Sequence, residues 1–273
     1  MKKVIALVLA LLTLTLVFSA CGTTPDDKET TKATETADKT QDTAAETEDE
    51  DKKSEGVMTY AQYDAAALDT QVVVETYIQA KQGWWENNGV GNATFYTQDD
   101  DGAYFLYNMP CTEAEYAQLT EGTKIKVTGY KSEWSGEVEI TDATFEIIAG
   151  KTKIYDAKDV TALLGTDDLI KSQNQRVAFK GMTIVASKNV AGEDVAFLYK
   201  WDGSGQAGDD LYFKVSDGKE TYTFTVESYL CGKDTDVYKA IEGLTIGAVV
   251  DLEGFLYWYN GVNPHITSCA AAK

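Results

Sequence analysis

The second half of the chain repeats the first, and this limits what it can fold into more than any other feature. Leu119-Thr120-Glu121-Gly122, Ile125, Val127, Gly129-Tyr130, Gly136 and Ile140-Thr141 recur as Leu244-Thr245-Ile246-Gly247, Val250, Leu252, Gly254-Phe255, Gly261 and Ile266-Thr267. The offset is about 125 residues and drifts by one at the last pair, as a loop insertion between two strands would produce. Upstream, Tyr96 and Asp101-Gly102 match Tyr212 and Asp217-Gly218, and Cys111 matches Cys231. A unit written twice, each copy long enough for its own core, predicts two like domains, 57–150 and 151–273, rather than a solenoid of stacked repeats.

Each unit reads as strand, strand, strand, helix, strand, strand. In the first, 72–78, 94–97 and 103–108 are expected strands and 113–119 a short helix. The alternation in Lys124-Ile125-Lys126-Val127 and Glu137-Val138-Glu139-Ile140 marks two further half-buried strands. Both units open on a short helical segment, within TYAQYDAAAL and KIYDAKDVTALL. Five strands with a helix between the third and fourth is the order of a closed Greek-key barrel.

On the hairpin residues Tyr96, Gln98, Asp99 and Gly102, and on the run GTKIKVTGY at 122–130, the chain resembles the OB-fold family. The resemblance implies a mainly β protein of two tandem five-stranded Greek-key (OB-like) barrels, each with a short helix. It implies the strand order 1-2-3-5-4 and a binding face over strands 2 and 3, flanked by the 1–2 and 4–5 loops. It names no ligand.

The N-terminus carries an export pattern. Lys2-Lys3 precede an apolar run at 4–18 and the small residues Ser19-Ala20 before Cys21, so 1–20 is expected to be a signal peptide. The FSACG run resembles the bacterial lipobox, with Phe18 where that pattern usually has Leu. The resemblance implies an acylated Cys21, a membrane anchor and a place on the outer face of a bacterial cell membrane. The stretch 21–56 has no aromatic residue and no Val, Ile or Leu, so it is expected to be a disordered acidic linker.

Motifs that could carry chemistry are few. Asp99-Asp100-Asp101-Gly102 fails the spacing of a calcium loop and reads as a hairpin turn. GSGQAG at 203–208 has the letters of a dinucleotide loop, yet it leads into Asp209-Asp210 and a strand where a helix is required. His265, the single histidine, has no nucleophile beside it in sequence and reads as a surface or half-buried strand residue. No catalytic residue, metal site or cofactor is therefore assigned. In the barrel that the OB resemblance implies, strands 3 and 5 are parallel neighbours, which brings Cys231 and Cys269 to one end; a disulfide between them and a set of three buried thiols are the two readings.

Composition then bounds the partners. The net charge of -20, from 44 acidic against 24 basic residues with one arginine, argues against nucleic acid, which is gripped through Lys and Arg. Aromatics cluster where the fold would bind: Trp84 and Trp85 after strand 1, Tyr130 and Trp134 near the first 4–5 turn, Tyr257, Trp258 and Tyr259 in the second, and Trp201 in the long insertion. They are candidates to stack on a glycan or to hold a peptide or protein; capping the barrel ends as core is the other reading. The expectation is a cell-surface binding or adaptor module without catalysis. A structural role in the envelope and an OB-type nucleic-acid binder are the alternatives, and oligomeric state is left open.

Overall fold

In the computed structural model, which describes residues 53–272, each copy of the repeat closes into its own barrel. The first consists of β1 (Gln71–Lys81), β2 (Val90–Gln98), β3 (Ala103–Pro110), β4 (Thr123–Trp134) and β5 (Glu137–Thr152). Helix α1 (Tyr60–Ala65) precedes it, and α2 (Glu113–Gln118) joins β3 to β4. The strands run β1-β4-β5-β3-β2, and β2 pairs back onto β1 to close the ring. The second barrel consists of β6 (Arg176–Val185), β7 (Leu211–Ser216), β8 (Thr221–Val226), β9 (Val249–Phe255) and β10 (His265–Ala271), with α3 (Asp236–Glu242) between β8 and β9. It closes in the same order, through β7 on β6. In both, the third and fifth strands are parallel. The protein is mainly β, and the order is the one the repeat and the OB resemblance imply.

Alternation places the cores. Phe95, Tyr104, Leu106, Ile125, Val127 and Ile140 fill the first barrel, and Phe179, Phe213, Val215, Phe224, Leu252 and Ile266 fill the second. Threonine caps start the helices: Thr59 and Thr112 form reciprocal boxes with Gln62 and Glu115, and the Thr235 hydroxyl accepts from Tyr238 N–H. The lead-in of the second unit is a single 3-10 turn, Thr161–Leu163, where a helical segment was expected. Asp159 Oδ1 holds both the amide and the hydroxyl of Thr161, and Gly165 at φ 74° turns the chain away after one turn.

The repeated glycines Gly129 and Gly254 have a steric cause. The register slips between Thr128 and Tyr130 on β4 and between Glu253 and Gly254 on β9. A Cβ on Gly129 would strike Ile140 and the Thr141 carbonyl; on Gly254 it would strike the His265 carbonyl and the Ile266 Cα. At these bulges the crossing strand leaves no room for a side chain.

Signal segment 1–20 and Cys21 lie outside the described residues. The last residues of the expected linker are bonded to the barrel, with Lys53 Nζ 2.6 Å from Asp99 Oδ2 and Ser54 N–H on Glu75 Oε1. The aspartate triplet is the β2–β3 hairpin turn, where Asp99 Oδ1 accepts from the Asp101 and Gly102 amides. The Cys231–Cys269 bond is corrected: Cys111, Cys231 and Cys269 are all free thiols. Strands β8 and β10 pair at Thr225 and His265, and Cys231 then turns back onto Glu227 O, while Cys269 runs on opposite Leu252.

The outer face of β2 and β3 is covered at Tyr96 and Phe105, while Tyr107 at its edge stays exposed. Tyr96 and Phe105 pack with Phe255 in a third cluster, against Leu230 and Tyr257 of the second barrel. The Tyr96 and Phe255 rings stack at 4.6 Å, and Phe105 meets Tyr257 edge-on at 5.4 Å. Polar links surround this patch: Asn260 N–H donates to Ser135 O, Gly83 N–H to Tyr229 O, and Arg176 N–H to Gln98 Oε1. The first barrel thus spends on docking the face that its fold would offer to a ligand.

Candidate ligand-binding site

The corresponding face of the second barrel stays open. Along β7, Leu211, Phe213 and Val215 point into the core, which turns Tyr212 and Lys214 outward; on β8, Phe224 points inward and Thr223 outward. Lys214 pairs with Thr223 and Tyr212 with Thr225. Tyr212, Lys214 and Thr223 make the floor of a groove of about 700 Å³. One wall is the 4–5 loop, with Tyr257, Tyr259 and Asn263, continued by His265 at the start of β10; the other is the long 1–2 connection, with Ser187, Leu198 and Trp201. Trp134 comes from the 4–5 turn of the first barrel.

These side chains are held by local bonds. The bond from Asn260 to Ser135 ties the two 4–5 turns together, and Trp134 lies 5.0 Å from Tyr259 while remaining 56% exposed. Trp201, 69% exposed, follows Lys200 at φ 61° in a turn fastened by Asp202 and Ser204. Tyr257 stacks on His265 at 4.2 Å, and Thr225 Oγ1 donates to Asn263 Oδ1 at 2.7 Å. A smaller cleft of about 310 Å³ beside the aspartate turn is crossed by the ion pairs Lys53–Asp99 and Lys124–Glu75.

Electrostatically the groove differs from the molecule. Among the described residues that line it, Lys214 is the one ion and no carboxylate is present. The nearby Asp210 accepts from Ser228 N–H and Oγ. Burial, followed by Asp210 and Glu227, raises the Tyr212 hydroxyl to about 12, so it remains a neutral donor. Glu227 is pushed up to about 7, by burial first. Burial lowers the His265 imidazole to about 3, so that ring too is neutral. The site offers ring faces, hydroxyls, an amide and one cation, which suit stacking on flat units with a few polar contacts.

Of the aromatic candidates, Trp134, Trp201, Tyr257 and Tyr259 meet in the groove. The other four lie elsewhere. Trp84 donates its indole N–H to Cys111 O and packs on the first core. Trp85 is exposed on a short strand, Trp85–Asn87, paired to the start of β2. Tyr130 is exposed on β4. Trp258 packs against the second core, its backbone N–H on Glu137 and its ring against Gly136. Tyr212, Lys214, Thr223 and His265 were not among the candidates, although the alternation in LYFKV and TYTFTV marks the first three as outward residues of strands 2 and 3.

No protein-family model and no curated protein matches the sequence. Solved structures do match in fold. A replication protein A heterotrimer bound to single-stranded DNA matches over 77% of this chain at 11% identity and a TM-score of 0.30; the chain spans about half, 51%, of that protein's length. A murine DNA-binding protein bound to double-stranded DNA matches over 74% of this chain and 96% of its own, at 10% identity and 0.35. The Ifi202 HINa domain with a 20bp double-stranded DNA matches over 76% and 98%, at 11% and 0.35. At these scores the likeness adds nothing to what strand order and closure already establish. The exclusion of nucleic acid drawn from net charge is nevertheless corrected on the groove's own lining, which holds Lys214 and no carboxylate. The physical reason is that net charge describes a whole surface, whereas a ligand meets one face, and the open face here is not acidic.

Proposed function

We propose that the chain is a non-catalytic binding module whose ligand lies in the open groove of the second barrel, and that this ligand is single-stranded nucleic acid held by base stacking. The observation that carries the reading is the convergence of Trp134, Trp201, Tyr212, Tyr257 and Tyr259 on one open face over strands 2 and 3. Each base stacked on such a ring contributes about 1–3 kcal/mol, whatever its identity. Lys214 on the floor can pair with one phosphate. With a single cation in the groove, log K should fall against log salt with a slope of only about -0.7. Tryptophan fluorescence titrated with oligo(dT) at low and moderate salt tests this. Saturable quenching with a shallow salt slope supports the reading, and no quenching at either salt ends it.

The lining favours one second reading. Sugar faces stack on the same rings, and Thr223 and Asn263 suit hydroxyls. Quenching by neutral glycan oligomers, with none by oligo(dT), would select it.

Display on the outer face of a bacterial membrane through acylated Cys21 belongs to the same proposal. Lys2-Lys3, the apolar run at 4–18 and Ser19-Ala20-Cys21 support it. Mass spectrometry of the native chain should find fatty acid on an N-terminal Cys21; a bare thiol there would count against it.

A further inference from the structure

His265 begins β10 beside Thr225 and lines the groove, yet it is bonded to the other barrel. Its Nδ1 lies 2.5 Å from the hydroxyl of Tyr96 on β2, and Tyr257 covers one ring face. The residue is 8% exposed, and that opening is toward the groove. Among the described residues no protein group bonds its Nε2, and Nε2 is not a sealed, unpartnered atom either.

The proton on this ring follows from Tyr96. Its hydroxyl is fully buried, which holds it far above the usual phenol range. The phenol therefore keeps its proton. A buried O–H needs an acceptor of its own, and the nitrogen within reach is His265 Nδ1. In a neutral imidazole an accepting Nδ1 leaves the proton on Nε2.

We propose that His265 is the specificity donor of the groove: Tyr96 of the first barrel positions it as the Nε2–H tautomer, which then presents one hydrogen-bond donor to an uncharged oxygen acceptor on the stacked ligand, such as a base carbonyl. The inference rests on the groove being the ligand site. It makes the docking of the barrels a part of recognition, because the residue that sets the tautomer belongs to one barrel and the donor to the other.

The chain has one histidine, so a long-range proton–nitrogen NMR spectrum of the 15N-labelled protein shows a single imidazole. The free protein should carry its proton on Nε2, with Nδ1 shifted as a hydrogen-bond acceptor. Oligo(dT) should move the Nε2 resonance while it quenches tryptophan fluorescence. Tyr96→Phe should move Nδ1 toward an unbonded acceptor and weaken binding. His265→Gln, which keeps an acceptor toward Tyr96 and a donor toward the groove, should bind nearly as the parent does; His265→Leu should lose about fivefold to tenfold, one hydrogen bond's worth. A proton on Nδ1 in the free protein overturns the inference without any variant or ligand. Quenching with an unmoved Nε2 signal, or equal losses in the Gln and Leu variants, overturns it while the groove stands as the ligand site. If neither fluorescence nor Nε2 responds to oligo(dT), both fall together.

Discussion

Glu137 carries a carboxyl into the joint between the barrels with half of it unbonded. Oε2 accepts from Gln173 Nε2 at 3.1 Å and from Trp258 N–H at 2.8 Å, whereas Oε1 is sealed without a partner among the described residues. Burial pushes this carboxyl up to about 8, against the opposing pull of the bonds from Trp258 and Gln173. An ordinary glutamate ionises near 4.5, so between these values the folded state holds a proton that the unfolded state has released. The stabilisation is complete below about 4.5 and is lost as pH rises through about 8. Glu139 and Glu227, both raised to about 7 by burial, act with the same sign. The unfolding free energy measured in urea should therefore fall as the solution goes from mildly acidic to mildly alkaline, by up to about 1.4 kcal/mol per pH unit for each such group, and the midpoint should fall with it. Glu137→Gln should raise the midpoint on the alkaline side and flatten the profile; an unchanged slope would contradict this assignment. The sequence could not reveal the burial. Glu137 and Glu139 sit at the polar positions of an alternating strand, which normally face water, and here that face is covered by another domain.

At the scale of elements, the two barrels have one strand plan and different uses for the same face. The outward positions of β2 and β3 include Tyr96 and Phe105, which seek cover, while those of β7 and β8 include Lys214 and Thr223, which tolerate water. Phe255→Ala should remove the stack on Tyr96 and cost about 3–5 kcal/mol, the scale of a buried ring deleted from a packed site; a calorimetric loss below about 1 kcal/mol would show the joint to be loose. Gly254→Ala should cost about 1–3 kcal/mol through collision with the backbone of β10, and a neutral effect would mean that the bulge can open. The strand order and the helix between the third and fourth strands were legible, because each is a local pattern that the duplication prints twice; Gly129 and Gly254 stood out as repeated positions, and only the structure shows that they mark bulges. The cysteine pairing was not legible, since it depends on where a turn after β8 sends Cys231, and the second helical lead-in shrank to one turn for reasons held in Asp159 and Gly165.

In the whole molecule, the groove is a property of the docked pair. Trp134 and Tyr96 come from the first barrel, and the rest of the lining and His265 come from the second. Loop position in the sequence was enough to find Trp134, Trp201, Tyr257 and Tyr259, which the fold brings together. It also selected Trp84, Trp85, Tyr130 and Trp258, whose loops and strands end in core, open surface or the joint, and no pattern within those segments separates the two groups. Net charge misled at this scale for a related reason: it sums 273 residues, and the groove is lined by a handful. The most direct test of the groove as the ligand site compares Trp201→Ala with Trp85→Ala, two exposed tryptophans of which one lines it. Oligo(dT) affinity should drop about tenfold or more in the first and stay at the parental value in the second; equal affinities in the two variants would contradict the assignment.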